Sequence, residues 1–343
     1  MQDLPPYLPI YSVISGSVER RRRFYELIVA ELVAQGLRPV AVQATVAAEE
    51  CESIEEQQWL TPPLYGCPVY RLKGIREALL YRLLSLVRTA DFLLLENDWE
   101  LGFPQILLDG QGVAAAAESV DLATFELDRQ AAVHRLLQGL GQKLAARPVW
   151  ACILMGGRSS RMGRPKHLLP DTAGSTWLER TVRTVQPQVT GVALSGRGEI
   201  PCGLDSLPRL ADIPDVGGPL TGILSAMRWQ PDVSWLFLAC DMPEVTAEAV
   251  AWLLGERKVG SWGTVPKRVG LKRVEPLFAG YEPQCAALFE RMSAAGIRRI
   301  GRIAEFEKIS VVRIPDHLVA SWQNINTPEE LRGLLAASSI PEP

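Results

Sequence analysis

Residues 154–166 read Leu-Met-Gly-Gly-Arg-Ser-Ser-Arg-Met-Gly-Arg-Pro-Lys. They follow a compact apolar run at 149–153, with the length and bulk of a buried strand. Gly156 and Gly157 leave that run, and Gly163 stands shortly before Lys166. A backbone free to turn there can bring N–H groups around phosphate oxygens, while Arg158, Arg161 and Lys166 add positive charge. Two carboxylates follow other apolar runs. Asp241 closes the stretch 234–240 (SWLFLAC). An unpaired aspartate is costly inside a core, but it is well placed at the carboxyl edge of an open α/β sheet, where such folds bind ligands. A turn or helix-capping aspartate is the alternative reading. Asp212 follows the run 207–210 and leads into Gly217, Gly218 and Pro219, with the proline suited to a first helical turn. Together these residue types suit the handling of phosphates.

Several elements must position them. Thr176 or Ser175 caps a helix through Trp177, Leu178, Val182 and Val185. Strands are expected at 189–195, 207–210 and 234–240, and a helix through Leu224, Ala226 and Met227. Residues 262–266 and 274–281 read as a strand pair around a basic turn, 267–273 (KRVGLKR). That turn is either a solvated hairpin tip or a dock for a second anionic substrate. Helices are expected at 282–295 and 297–304, and a strand at 309–314. Residues 322–331 read as a short strand entering a helix, with Thr327, Pro328 and Glu330 in an N-cap, N1 and N3 pattern.

The first half alternates as well. Strands are expected at 8–14, 39–43, 91–96 and 105–108, and helices at 20–35, 74–89 and 131–145. This predicts a small α/β domain with a mostly parallel sheet, joined through residues 146–148. Its first strand, glycine and helix have the layout of a phosphate-binding loop. Counting from Gly16, however, the final glycine, lysine and hydroxyl of G-x-x-x-x-G-K-[ST] fall on Arg21, Arg22 and Arg23. The Arg20–Arg23 run reads as a solvated first helical turn or as a contact for an anionic partner.

Composition bounds the rest. A chain of 343 residues suits two domains, and 47% hydrophobic with 22% charged residues is ordinary for a soluble globular protein. A net charge of −3 argues against a nucleic-acid binder. Six scattered cysteines and three histidines give neither a zinc site nor a disulfide framework. There is no signal-peptide pattern at the N-terminus, and no run approaches the ~20 apolar residues of a membrane span. A cytoplasmic, membrane-free protein is expected.

The stretch LMGGRSSRMGRPKHLL closely resembles the LAGGxSxRMGxxKxLL signature of the molybdenum cofactor guanylyltransferase (MobA) family. Three further signatures follow in the family's order: Asp212 with GGPLTGI, CDMP at 240–243, and NINTPEEL at 324–331. The resemblance covers about residues 149–334. It implies two α/β domains: residues 148–343 as a Rossmann-like nucleotidyltransferase fold with a mostly parallel mixed sheet, and residues 1–147 as a small P-loop-like accessory domain. The latter is similar in layout to the GTP-binding adaptor family of the same pathway (MobB), with a degenerate loop.

The resemblance further implies transfer of GMP from GTP to the terminal phosphate of molybdopterin, assisted by Mg²⁺, with release of pyrophosphate. Proteins that deliver molybdopterin or receive the finished cofactor are implied partners. Asp241 matches the family's metal and GTP aspartate, and Lys166 its loop lysine. Arg161 is a further phosphate contact. Leu154, Met155, Gly156 and Gly157 match the segment lying against the nucleotide, and Asp212 a GTP-contacting position that suits the guanine edge. Met155 replaces the usual alanine, and Ser195 stands where some members have asparagine. Asn324 and Asn326 serve the metal, the pterin phosphate or the loop itself. The alternatives are cytidylyl transfer to molybdopterin, a sugar-phosphate enzyme, and a non-catalytic nucleotide-binding module.

Overall fold

A computed structural model describes residues 5–14, 16–46, 57–58, 67–74, 76–96, 103–109, 119–155, 165–171 and 174–338. The chain divides into two compact units: Met1–Arg147 with Lys258–Gly260, and Pro148–Arg257 with Ser261–Pro343.

In the first unit the strands are β1 (Ile10–Ile14), β2 (Pro39–Val46), β3 (Gln57–Gln58), β4 (Val69–Gly74), β5 (Phe92–Glu96), β6 (Gln105–Leu107) and β7 (Ser119–Asp121). They form a sheet in the order β3-β4-β2-β5-β1-β6-β7. All neighbours are parallel except β3 with β4. The first helix runs from α1 (Val18–Phe24) through a π-helical stretch, Tyr25–Val29, into α2 (Ala30–Ala34). Helices α3 (Arg76–Val87) and α4 (Arg129–Ala146) follow. Phe92 and Leu94 face the core under the first helix and α4, while Leu93 and Leu95 face that under α3. Burial on both faces explains why residues 92–95 read as one unbroken apolar run. Strand β4 was not expected, because its residues, VYRLKG, alternate too weakly to stand out.

The second unit contains β8 (Val149–Leu154), β9 (Gly191–Ser195), β10 (Arg209–Leu210), β11 (Ser234–Ala239), β12 (Gly263–Lys267), β13 (Phe278–Tyr281) and β14 (Ile309–Arg313). The sheet order is β10-β9-β8-β11-β13-β12-β14. Strands β10, β9, β8 and β11 are mutually parallel, and β13 runs against both β11 and β12. This is the mostly parallel mixed sheet that the family resemblance implies.

Helices α6 (Pro219–Trp229) and α8 (Cys285–Ala294) cover one face, packing on Cys152, Ala193, Trp235 and Phe237. Helices α5 (Trp177–Val185) and α7 (Ala247–Gly255) cover the other, on Ala151, Ile153, Leu236 and Leu238. The side-chain alternation along β8 and β11 therefore divides two cores.

Two sequence expectations change. Residues 297–304 form no α-helix; a 3-10 segment, Ile300–Glu305, takes their place. Gly296 sits at positive φ with its N–H on Ser293 O, which ends α8, and Gly301 lies within the following segment. Residue 322 ends a 3-10 turn, Asp316–Trp322, rather than opening a strand. Its indole stacks on Phe278 at 4.4 Å and donates to Phe278 O, so burial of the ring fixes the turn. The chain then enters α9 (Pro328–Ser338).

Candidate active site

The register of the parallel strands builds the site. Leu210 pairs with Ser195, Ser195 with Leu154, and Leu154 with Ala239, so four strands end in one row. Met155 N–H donates to Ser195 O at 2.7 Å, and Cys240 N–H donates to Leu154 O at 3.2 Å. The chain therefore leaves the sheet at one edge on each of these four strands, which is where open parallel sheets leave room for ligands. A cleft of about 1050 Å³ opens there, lined among others by Leu154, Met155, Arg197, Asp212, Asp241 and Asn324.

Asp241 and Lys166 meet across this edge. Lys166 opens a 3-10 turn, Lys166–Leu168, and its Nζ donates to Asp241 Oδ2 at 3.1 Å and to Asn326 Oδ1 at 2.8 Å. Both members of the ion pair are mostly covered, with side-chain exposures of 15% and 21%. Asp241 Oδ1 is buried and has no hydrogen-bond partner among the described residues. An unpartnered carboxylate oxygen beside a satisfied one suits a cation that draws the rest of its shell from ligand and water. Among the described residues no group of three or more His, Cys, Asp or Glu side chains could cage a metal. A divalent cation bound here would have one protein carboxylate and would take its other oxygens from ligand and water.

The opposite wall is the loop from Asp212 to Gly218 and the start of α6. Gly218, at φ 72°, is the N-cap of α6 and offers no side-chain acceptor to its first amides. Gly217, Gly218, Pro219 and Thr221 line the cleft, placing the positive end of the helix dipole on it. Thr221 Oγ1 accepts from Ile213 N–H at 2.6 Å, and Ser225 Oγ donates to Ala211 O at 2.6 Å, tying loop to helix. Arg197 Nε lies 3.5 Å from Asp212 Oδ2, with 91% of the arginine side chain exposed. Neither Arg197 nor its pairing was anticipated, since nothing in the sequence marks a lone arginine after a strand as facing Asp212.

Ser195 itself is 2% exposed, and the cleft lining begins beyond it at Gly196 and Arg197. It is covered by α6 at Gly222, where a Cβ would lie 2.6 Å from Leu154 Cδ2 and 2.7 Å from Ser195 Oγ. The third glycine of GGPLTGI therefore permits contact between helix and sheet. Met155 is 4% exposed; it touches the cleft, but its side chain packs in the core under α5 and α7. Replacing alanine with methionine at this position thus fills core more than it narrows the cleft. Gly156, Gly157 and Arg161 lie outside the described residues.

His167 is buried, with Nε2 2.8 Å from Glu199 O, tying the Lys166 turn to the loop after β9. Burial and the neighbouring Asp241 charge push the Cys240 thiol up to about 12, so this residue stays neutral beside the site. The basic turn rises from the same sheet edge. Arg268 pairs with Glu275 at 3.2 Å, Lys267 bridges to Val274, and Lys272 and Arg273 are exposed.

The corresponding loop of the first unit is engaged internally. Gly16 N–H donates to Asp109 Oδ2 at 3.0 Å. Arg20 donates to Leu108 O and Ala123 O and lies over Phe125. Arg20 and Arg23 both reach Glu126, and Arg22 pairs with Glu26. The arginine run is thus part of the local structure, and a carboxylate takes the Gly16 amide. Among the described residues, no helix is long and apolar enough to cross a membrane.

Comparison with known proteins gives matches to the second unit. A family model described as the MobA-like NTP transferase domain matches residues 151–309. The chain is 34% identical over 197 residues to the molybdenum cofactor guanylyltransferase of Rhizobium meliloti, covering 53% of this chain and 88% of that one. It is 28% identical over 200 residues to the molybdenum cofactor biosynthesis bifunctional protein of Synechocystis, the match spanning 57% of each chain. Among solved structures, molybdopterin-guanine dinucleotide biosynthesis protein A from Archaeoglobus fulgidus aligns with 26% identity and a TM-score of 0.47, over 55% of this chain and 98% of that one. The chain belongs to the molybdenum cofactor guanylyltransferase family of nucleotidyltransferases.

Proposed function

We propose that the second unit transfers GMP from GTP to the terminal phosphate of molybdopterin. The observation that carries this reading is that Asp241 and Asp212 line one cleft at the carboxyl edge, with the Lys166 ammonium bonded to Asp241. In the reaction an oxygen of the acceptor phosphate bonds to the α-phosphorus of GTP. The bond from that phosphorus to the β-bridging oxygen breaks, and pyrophosphate leaves with the electron pair. No covalent enzyme intermediate is required, so the protein's work is alignment of two polyanions and neutralisation of charge.

Lys166 contributes an ammonium, a compact charge able to follow the β and γ phosphates as they become the leaving group. Asp241 would hold Mg²⁺ through the oxygen that lacks a partner. When bound, the ion neutralises phosphate charge and fixes the relative orientation of the phosphates. Asp212 accepts two hydrogen bonds from the N1–H and amino group of guanine; neither adenine nor cytosine offers that donor pair. Leu154, Met155, Gly156 and Gly157 lie against the nucleotide, with Arg161 as a further phosphate contact, and Ser195 supports this wall from beneath α6. Lys272 and Arg273, on the turn at the same edge, supply positive charge for the acceptor. The first unit is assigned as an accessory domain, since among its described residues the Gly16 amide and the arginine run are already engaged. Proteins delivering molybdopterin and receiving the dinucleotide cofactor are expected partners of the chain as a whole.

The test is pyrophosphate release by the whole chain with each of GTP, CTP, ATP and UTP, in the presence of Mg²⁺ and molybdopterin. Release with GTP is expected. Release with CTP alone would instead favour the cytidylyl reading.

A further inference from the structure

We infer that Glu330 is a positioning residue for this reaction, acting through Asn326 on the Lys166 ammonium; the inference rests on the reading that Lys166 meets the nucleotide phosphates. Glu330 lies on the first turn of α9, 164 residues beyond Lys166 in sequence (330 − 166) and outside the cleft lining. Its Oε2 accepts from the backbone N–H of Asn326 and from that of Thr327 at 3.1 Å, while its own N–H donates to Thr327 Oγ1 at 3.2 Å. An ordinary capping box reaches back only to the N-cap amide. Here the carboxylate also takes the amide before it and so fixes both peptide planes flanking Asn326.

The neighbouring residue is fixed independently. Ile325 N–H donates to Asp241 O at 2.9 Å, and its side chain is buried with Leu169 and Trp177. Asn326 is thus held from both sides, which leaves its side-chain oxygen 2.8 Å from Lys166 Nζ. Lysine has four rotatable bonds, and two acceptors, Asp241 and Asn326, select one direction for its ammonium. Without Glu330, Asn326 keeps its neighbour's anchor but loses the restraint on its own plane. The ammonium then retains one acceptor of two.

The test compares variants of the full chain by GTP-dependent pyrophosphate release. Glu330→Ala lowers kcat by roughly tenfold or more, the range seen when groups one step behind a reacting centre are removed. Glu330→Gln, whose side-chain oxygen still accepts, restores most of the rate. Thr327→Ala removes the other half of the helix cap, at a similar cost to α9, and keeps the wild-type kcat. In an Asn326→Ala background, adding Glu330→Ala causes no further loss. Equal rate losses in Thr327→Ala and Glu330→Ala would reduce Glu330 to a helix cap, and additive losses with Asn326→Ala would remove the path through that residue. A wild-type rate in folded Glu330→Ala would overturn the proposal while leaving the GTP reading intact. If the wild type releases no pyrophosphate from GTP, both fall together.

Discussion

The Lys166 ammonium lies 3.1 Å from Asp241 Oδ2, and the two residues are separated by 75 positions in sequence. The lysine comes from the turn after β8 and the aspartate from the end of β11, adjacent parallel strands whose last residues, Leu154 and Ala239, pair directly. Strand register therefore brings the charges together. Each partner is mostly withdrawn from water, so removing one leaves the other poorly compensated.

Lys166→Met should abolish GTP turnover and also destabilise the fold, by about 1–3 kcal/mol if the stranded Asp241 carboxylate bears the desolvation cost. Adding Asp241→Asn should recover most of that stability and none of the activity. Chemical denaturation of the single and double variants checks the first statement, and pyrophosphate release checks the second. Equal stability of both single variants and wild type would mean that the pair carries no coupling.

Gly222→Ala places a methyl group where Leu154 and Ser195 already stand, at 2.6 and 2.7 Å. Overpacking of this kind costs about 1–3 kcal/mol and shifts backbone. Because α6 carries one cleft wall, GTP affinity should fall along with the melting temperature. Gly217→Ala, where no atom lies within 4 Å of the added carbon, should leave the melting temperature near wild type.

Burial raises the thiols of both Cys67 and Cys240 to about 12 from an ordinary value of 9.0. The folded chain therefore holds protons between about pH 9 and 12 that the unfolded chain releases. This contribution to stability is complete below pH 9 and is lost as pH rises toward 12. Urea midpoints measured from pH 8 to 11 should hold to about pH 9 and then fall, and thiol reagents at pH 8 should spare Cys240 until the chain unfolds.

The first unit should add no nucleotide site, since the Gly16 amide is already bonded to Asp109 and Arg20 and Arg23 to Glu126. Calorimetric titration of the whole chain with Mg²⁺ and GTP should give one site per chain. Two sites, or one that survives Asp241→Ala undiminished, would assign nucleotide binding to the first unit.

Much of this was legible in the sequence because local and global signals agreed. The runs ending at Leu154 and Asp241 are buried on both faces, so they stand out as continuous apolar strings. Thr176, one of the two caps expected for α5, does cap it, and Glu179 completes a capping box. Other features depend on tertiary placement. The Arg197–Asp212 approach, the burial of Ser195 under Gly222, and the hold of Asn326 on Lys166 arise only when distant strands and α9 come together. Residues 297–304 have helical spacing but fold as a 3-10 segment, an override of pattern by local glycines and packing.

The most direct measurement follows the α-phosphorus itself. GTP labelled at the α-phosphate is incubated with Mg²⁺, molybdopterin and either the wild-type chain or Asp241→Ala. The label should appear in a molybdopterin dinucleotide with the wild type alone, in step with unlabelled pyrophosphate. Label transfer undiminished in Asp241→Ala, or transfer from labelled CTP and none from GTP, would contradict the account.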